Sequence, residues 1–293
     1  MMASKRSLVL VAVLVLGLLM VGAGCAKGKK TKEVTIALTP WSTTIPTTNI
    51  AKILLEEELG YKVHVQNADV GVTFSGLASG DIDIFLDSWL PHMHADYMKQ
   101  YGHNIEDLGA VYTEGVLGWV VPAYVKPVSI EQLNQYKEKF DSDGNGKGEI
   151  IGIEAGAGMM RTSQEIIDAY GLEFELVEAS EWAMMAEADK AIKEKRWIVF
   201  LGWSPHWMFA KYDLRYLKDP KGYWQGDEVH VLVNKDLPRR APEVAEFLKR
   251  FKVSIDDMNK MIYDIEVEKK DPVAVARTWI NANQDRVKAM LGK

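Results

Sequence analysis

The sequence predicts an α/β protein of two lobes joined by two crossover strands, with a ligand cleft between the lobes. Three observations predict it. Strand patterns and helix patterns alternate in two successive runs. Three of the strands end in proline-flanked turns that carry tryptophan: "LTPWSTT" around Trp41, "DSWLPHMH" around Trp89 and "FLGWSPHWMF" around Trp203. The tail from Ala241 is helical.

The first run opens with "EVTIALT" (Glu33 to Thr39), which alternates as a half-buried strand does. "TTNIAKILLEEELG" reads as a helix with Gly60 just past its end. "YKVHVQNA" is a second strand, "VGVTFSGLASGD" a short helix with small residues on one face, and "IDIFLDSWLP" a third strand ending at Trp89 and Pro91. The β-α-β-α-β order calls for a parallel sheet with helical crossovers. Ligands of such sheets lie beyond the carboxyl ends of the strands. Trp41 and Trp89 both stand there.

"GVLGWVVPAY" (Gly115 to Tyr124) is a further strand, and "SIEQLNQYKEKF" reads as a helix. A second β-α run follows. Its parts are strand "EIIGIEAG", a helix from about Ser163 to Tyr170, strand "FELVEAS", helix "MMAEADKAIKEK" and strand "WIVFLGW", which ends at Trp203. "EVHVLVNKDL" is a late strand, and "PEVAEFLKRF", "SIDDMNKMIYDIE" and "DPVAVARTWINAN" are helices. The expected division is residues 33–118 for the first lobe, 119–230 for the second, and 231–293 for a return strand with the C-terminal helices. The crossovers fall near Gly115 to Pro122 and Glu228 to Asn234.

Residues 1–25 read as an export signal. Lys5 and Arg6 precede an apolar stretch from Leu8 to Gly24, and small residues lead to Cys25. The stretch is roughly 17 residues, about the length of a short membrane span, so a transmembrane anchor is the competing reading. "MVGAGC" resembles a lipobox, with Gly22 where leucine is commonest, and places the single cysteine of the chain at the site of lipidation. "AKGKKTK" (residues 26–32) then reads as a solvated tether. The expected location is the cell envelope, either periplasmic or lipid-anchored to the outer face of the cytoplasmic membrane.

The remaining chain has no cysteine, hence no disulfide, which an exported domain of this size does not need. The net charge of the full sequence is −6, and no basic stripe is present to neutralise phosphates, which argues against nucleic acid as a partner. There is no G-x-S-x-G elbow, no P-loop and no H-E-x-x-H, so nothing looks like an assembled nucleophile and base. An enzyme is not expected, nor is a cofactor, and the chain is expected to act as a monomer.

The 293 residues hold nine tryptophans, which is high and needs a reason. Trp41 and Trp89 belong to the first lobe and Trp203 to the second. Strand ends of hinged lobes face one another, so the three indoles would form an electron-rich box. Such a box attracts a quaternary ammonium, each contact being worth roughly 2 kcal/mol when desolvated. Taken singly, each indole is more simply explained as packing. The other six, Trp119, Trp182, Trp197, Trp207, Trp224 and Trp279, are assigned to packing, Trp207 behind the Ser-Pro-His turn.

"GIEAGAGMMRTSQE" follows a strand and opens a helix, with capping-box spacing between Thr162 and Glu165. Arg161 stands where a dinucleotide fingerprint would have its third glycine, so a small anion such as a carboxylate fits better, on amides near Gly158 and Met159. "PHMHADY" offers His92 and His94. A metal site would use both with Asp87 or Asp96; the other reading has one histidine donating a hydrogen bond to an anionic ligand. "DSDGNGKGE" (Asp141 to Glu149) resembles half of a calcium loop, but Gly152 stands at position twelve, where a bidentate glutamate is required. It reads as a polar turn between the lobes.

"TPWSTT", "GDIDIFLDSWLPHMHADY", "GAGMMRTSQEII" and "LGWSPHWMFAKYDLRYLKDP" together resemble the glycine betaine-binding proteins of osmoprotectant ABC importers, from about Glu33 to the C-terminus. The resemblance implies the type II periplasmic-binding-protein fold. It implies a cage of Trp41, Trp89 and Trp203 around a trimethylammonium group, with the ligand carboxylate on the amides of Gly158 and Met159 and on His94. It implies glycine betaine or proline betaine as ligand and membrane permease subunits as partners. It gives His92 no role. Two other classes compete: an amino-acid-type solute-binding protein whose tryptophans merely pack, and a secreted metallo-hydrolase using His92, His94 and Asp87.

Overall fold

The strand β1 (Glu33–Leu38) buries Val34, Ile36 and Ala37 and pairs in parallel with both of its neighbours. This is the centre from which the first lobe is built. The helix α1 (Thr44–Glu57) follows it and buries Ile50, Ala51, Ile53, Leu54 and Leu55. The edge strand β2 (Lys62–Asn67) buries only Val63. Next come α2 (Val70–Ser79), then β3 (Ile84–Leu90), buried at all seven positions because both its faces are covered, then α3 (Ala95–Tyr101). The computed structural model describes residues 32–293 of the chain. The export signal, Cys25 and all but the last residue of the tether lie outside the described residues.

The strand β4 (Ile105–Pro122) runs through both lobes. The second lobe holds β5 (Gly148–Ile151), α4 (Gly158–Tyr170), β6 (Phe174–Val177), α5 (Glu181–Lys193), β7 (Val199–Ser204), the one-turn α6 (Met208–Lys211) and β8 (Leu214–Tyr216). The chain then returns through β9 (Asp227–Asn234) to α7 (Leu237–Arg240), α8 (Pro242–Lys249), α9 (Ile255–Glu266), α10 (Pro272–Ala282) and α11 (Gln284–Leu291). α10 packs on α1, so the tail closes over the first lobe.

The strand order is β2-β1-β3-β9-β4-β7-β5-β6, with β8 on the end of β4. This is a mixed α/β architecture in which β4 and β9 link two groups of strands. Residues Ile105 to Gly115 of β4 pair antiparallel with β9, and Val116 to Val120 pair antiparallel with β7. The exchange between lobes therefore falls at Gly115 and Val116 on β4, and at Asp227, the partner of Gly115, on β9. β9 pairs with β3 and β4 along its length, so Glu228 to Asn234 lies within the first-lobe sheet rather than in a crossover.

Four local expectations are corrected. β4 begins ten residues before Gly115, in a stretch disguised by charged residues and by Gly109 at φ +100°, where its register with β9 shifts. Ile130–Lys139 is a 3₁₀ run, not an α-helix; its buried Ile130 and Leu133 are three apart, the spacing that a 3₁₀ turn aligns. α4 starts at Gly158, capped by Ala157 without a side-chain bond, so Thr162 lies inside the helix and forms no capping box. The Asp141–Glu149 turn lies inside the second lobe, with Asn145 bonded to Glu175 of β6, and does not join the lobes. Asp141 there accepts the amides of Gly144, Asn145 and Gly146.

Candidate ligand site

The turns after β1, β3, β5 and β7 converge, and one cavity lies among them. Trp41, Thr43, Trp89, Met93, His94, Leu117, Ile153, Ala157, Gly158, Met159 and Trp203 line it. The six residues expected from the sequence to contact a betaine, Trp41, Trp89, Trp203, His94, Gly158 and Met159, are in this set, and His92, Asp87 and Asp96 are not. Trp41, Trp89 and Trp203 are each at most 6% exposed.

Each indole is held from behind. Trp41 Nε1 donates to Glu154 Oε1 across the cleft at 2.6 Å, and its ring stacks on His94 with centroids 5.8 Å apart. Trp89 meets Tyr112 edge-on at 6.4 Å and packs against β4 at Gly115, where an added Cβ would lie 2.7 Å from the indole. Trp203 stands on the edge of His206, 4.8 Å away at 88°. Trp207 does not line the cavity; it is buried behind the turn against His206 and Tyr212. Of the indoles assigned to packing, Trp119 is fully buried with Nε1 on Ser163, whereas Trp182 is 47% exposed under Lys269. The peptide bonds Leu90–Pro91 and Ser204–Pro205 that shape two of these turns are cis.

His94 is 2% exposed, and its Nδ1 accepts the backbone N–H of Trp89 at 3.1 Å. Burial, helped by the charge of Arg161, pushes its pKa down to about 3. The ring is thus neutral with its proton on Nε2, a donor with no charge of its own. At the opposite wall α4 begins with Gly158 and Met159. The first amides of a helix have no acceptor within it, and Ala157 has no side-chain oxygen to cap those of Gly158 and Met159. A small anion could be received there.

His92 serves a different purpose from His94. Its backbone N–H and its Nδ1 both meet Asp227 Oδ1, at 3.0 and 2.7 Å, while Asp227 Oδ2 takes the amide of Met93 at 2.9 Å. Asp227, at the start of β9, therefore anchors the turn that presents His94. Asp87 faces Thr43 and Thr44, and His94 Nδ1 faces Trp89. The His92–His94–Asp87 metal arrangement is not formed. Among the described residues, the acidic or histidine side chains close enough to share an ion are Asp143 of the exposed turn, Glu149 of β5 and Glu175 of β6, all in the second lobe.

The lobes also touch directly. Ser42 N–H donates to Glu181 Oε2 at 2.9 Å, and the Tyr97 hydroxyl donates to the Gly156 carbonyl at 2.9 Å. Arg161 pairs with Asp96 and reaches the His92 carbonyl. The sequence reading missed Glu154 and Glu181 because single acidic residues in a turn and at a helix start carry no pattern.

The family model described as the substrate-binding domain of ABC-type glycine betaine transport systems matches residues 32–282. The chain belongs to that family. It is the solute-binding part of an ABC importer and not an enzyme, so the metallo-hydrolase reading falls. The glycine betaine/carnitine transport binding protein GbuC of Listeria monocytogenes is 39% identical over 142 residues, 47% of this chain and 47% of that protein. The chain thus matches about half the length of that relative. The crystal structure of lactococcal OpuAC, closed and complexed with glycine betaine, is 33% identical with a TM-score of 0.81, covering 89% of this chain and 99% of that one. An ABC-transporter choline-binding protein in complex with choline is 27% identical with a TM-score of 0.81, covering 91% and 93%. Among the described residues no helix is long and apolar enough to cross a membrane.

Proposed function

We propose that this protein captures glycine betaine, or the related proline betaine, outside the cytoplasm and delivers it to the permease subunits of an osmoprotectant importer. The observation that carries the reading is the composition of one cavity: three indoles from two lobes, a neutral histidine and an uncapped helix start. The trimethylammonium group lies among Trp41, Trp89 and Trp203. The carboxylate takes hydrogen bonds from the amides of Gly158 and Met159 and from His94 Nε2. A single copy suffices, since both lobes supply contacts. Lipid on Cys25 keeps the protein at the membrane beside its permease.

The ligand bridges the lobes, and only the closed arrangement makes both sets of contacts, so binding favours closure. Micromolar affinity requires about 8 kcal/mol, and three cation–π contacts with two or three charge-assisted hydrogen bonds are sufficient for it. Choline has the ammonium but no carboxylate and binds more weakly. Proline has the carboxylate but no methylated ammonium and does not fill the box.

The test is a titration followed by intrinsic tryptophan fluorescence, with glycine betaine, proline betaine, choline and proline added separately. A saturable change with the betaines and little with choline or proline is expected. No response to either betaine would remove the function and leave an amino-acid-type binder as the reading to pursue.

A further inference from the structure

Two carboxylates stand behind the indole box with no basic partner among the described residues. Glu154 accepts the Trp41 indole N–H through Oε1, and its Oε2 is buried without a hydrogen bond. Asp87, in the middle of β3, accepts the hydroxyls of Thr43 and Thr44 through Oδ2 at 2.6 and 3.0 Å. Its Oδ1 is buried without a hydrogen bond, although the Trp89 indole and the Tyr112 hydroxyl lie beside the carboxyl group. Trp41, Thr43 and Trp89 all line the cavity, so each carboxylate is one side chain away from it.

The surroundings of both groups are acidic or neutral. Glu154 feels Asp69 at the cap of α2 and Glu181 at the start of α5, and it lies near Tyr97 of α3. Asp87 feels Glu181 and Tyr112. Among the described residues no lysine, arginine or histidine bonds to either carboxyl, whose side-chain donors are Trp41 for Glu154 and Thr43 and Thr44 for Asp87. A buried carboxylate with an unpaired oxygen and no countercharge is costly, and native folds seldom keep one without a reason. A quaternary ammonium fits the gap. It has no N–H to donate, so it asks its surroundings for negative charge and not for acceptors at bonding distance. An indole that donates its N–H to a carboxylate also presents a more electron-rich face.

We propose that Asp87 and Glu154 supply the counter-charge for the ligand's cationic head, acting through Trp41, Thr43 and Trp89 without touching it, and that they make the site select by charge as well as by shape. The proposal rests on the betaine reading of the cavity. Both are positioning residues in this role. Burial pushes each carboxyl up to about 6, so both are ionised at neutral pH and lose their charge just below it.

The experiment compares glycine betaine with 3,3-dimethylbutanoate, in which carbon replaces the nitrogen at nearly unchanged shape. Wild type, Glu154→Gln and Asp87→Asn are titrated with both. Glutamine can still accept the Trp41 N–H, and asparagine can still accept the threonine hydroxyls. Each variant should lose about tenfold or more in betaine affinity and bind the carbon analogue as well as or better than wild type does. Affinities for the two ligands that move in parallel, or not at all, would overturn the proposal and leave a structural role. Wild type that binds neither would overturn the function and this inference with it. Should a variant not fold, wild type answers alone. Its betaine affinity should fall between about pH 7.5 and pH 5, and a flat profile would overturn the proposal.

Discussion

The backbone N–H of Trp89 donates to Nδ1 of His94 over 3.1 Å, and that bond decides which nitrogen of the imidazole carries the proton. Nε2 is left as the donor, in a ring whose pKa burial lowers to about 3. His94→Gln should lower betaine affinity about tenfold, because a charge-assisted bond to the ligand carboxylate is lost or misdirected. The same ring sets a sign for stability. Its folded pKa lies below the unfolded value of about 6.5, so its contribution is complete above that pH and is lost as pH falls toward 3. Wild type should therefore lose more stability between about pH 7 and pH 5 than His94→Gln does, as chemical denaturation would read.

Trp203 is the one indole of the proposed box that the second lobe supplies, and it pairs in register with Leu117 of β4, which also lines the cavity. Trp203→Ala removes one face of the box, worth about 2 kcal/mol, and should weaken betaine binding about thirtyfold. Trp203→Phe keeps a weaker π face and should fall between the two. A betaine isotherm that does not change with alanine would remove the cage from the mechanism.

The parts of this fold that the sequence makes legible are those with a period or a punctuation mark. The β-α alternation and the three Trp-Pro turns are local patterns, and they lead to the sheet order and to the indoles. The long β4 is hidden because its first half alternates poorly and shifts register against β9 at Gly109 and near Glu114. The start of α4 is hidden because Ala157 is a silent cap. Glu154 and Glu181 matter through residues 113 and 139 positions away, and no local window contains such pairs.

Glu181 is 1% exposed and serves both lobes. Its Oε1 takes the N–H of His206 Nε2 at 3.0 Å within the second lobe, and its Oε2 takes the amide of Ser42 at 2.9 Å from the first. His206 Nδ1 is already occupied by the amide of Met208, so no other tautomer is available to it. Glu181→Ala leaves two buried donors unpaired, at about 1–3 kcal/mol each. The His206 share should appear as lower thermal stability of the ligand-free protein. The Ser42 share exists only when the lobes meet, and should appear as a dissociation rate raised about tenfold in stopped-flow fluorescence. A variant with altered melting and unaltered dissociation would show that the Ser42 contact does not hold the lobes shut.

Gly158 separates folding from closure more cleanly. A Cβ built on it would lie 2.1 Å from the carbonyl oxygen of Met93 and 2.7 Å from the carbonyl carbon, both backbone atoms of the opposite lobe that cannot turn aside. Within its own lobe Gly158 is the first residue of α4 and does not adopt a left-handed conformation. Alanine is compatible with the helix there and favours it by up to about 1 kcal/mol. Gly158→Ala should therefore melt at the wild-type temperature or slightly above it, and still lose betaine binding about a hundredfold or more, because the lobes stop short of contact. Small-angle scattering supplies the independent readout: the variant's radius of gyration should not contract when betaine is added. A variant that binds and contracts like wild type would mean that the close approach of Gly158 to Met93 is not needed to enclose the ligand.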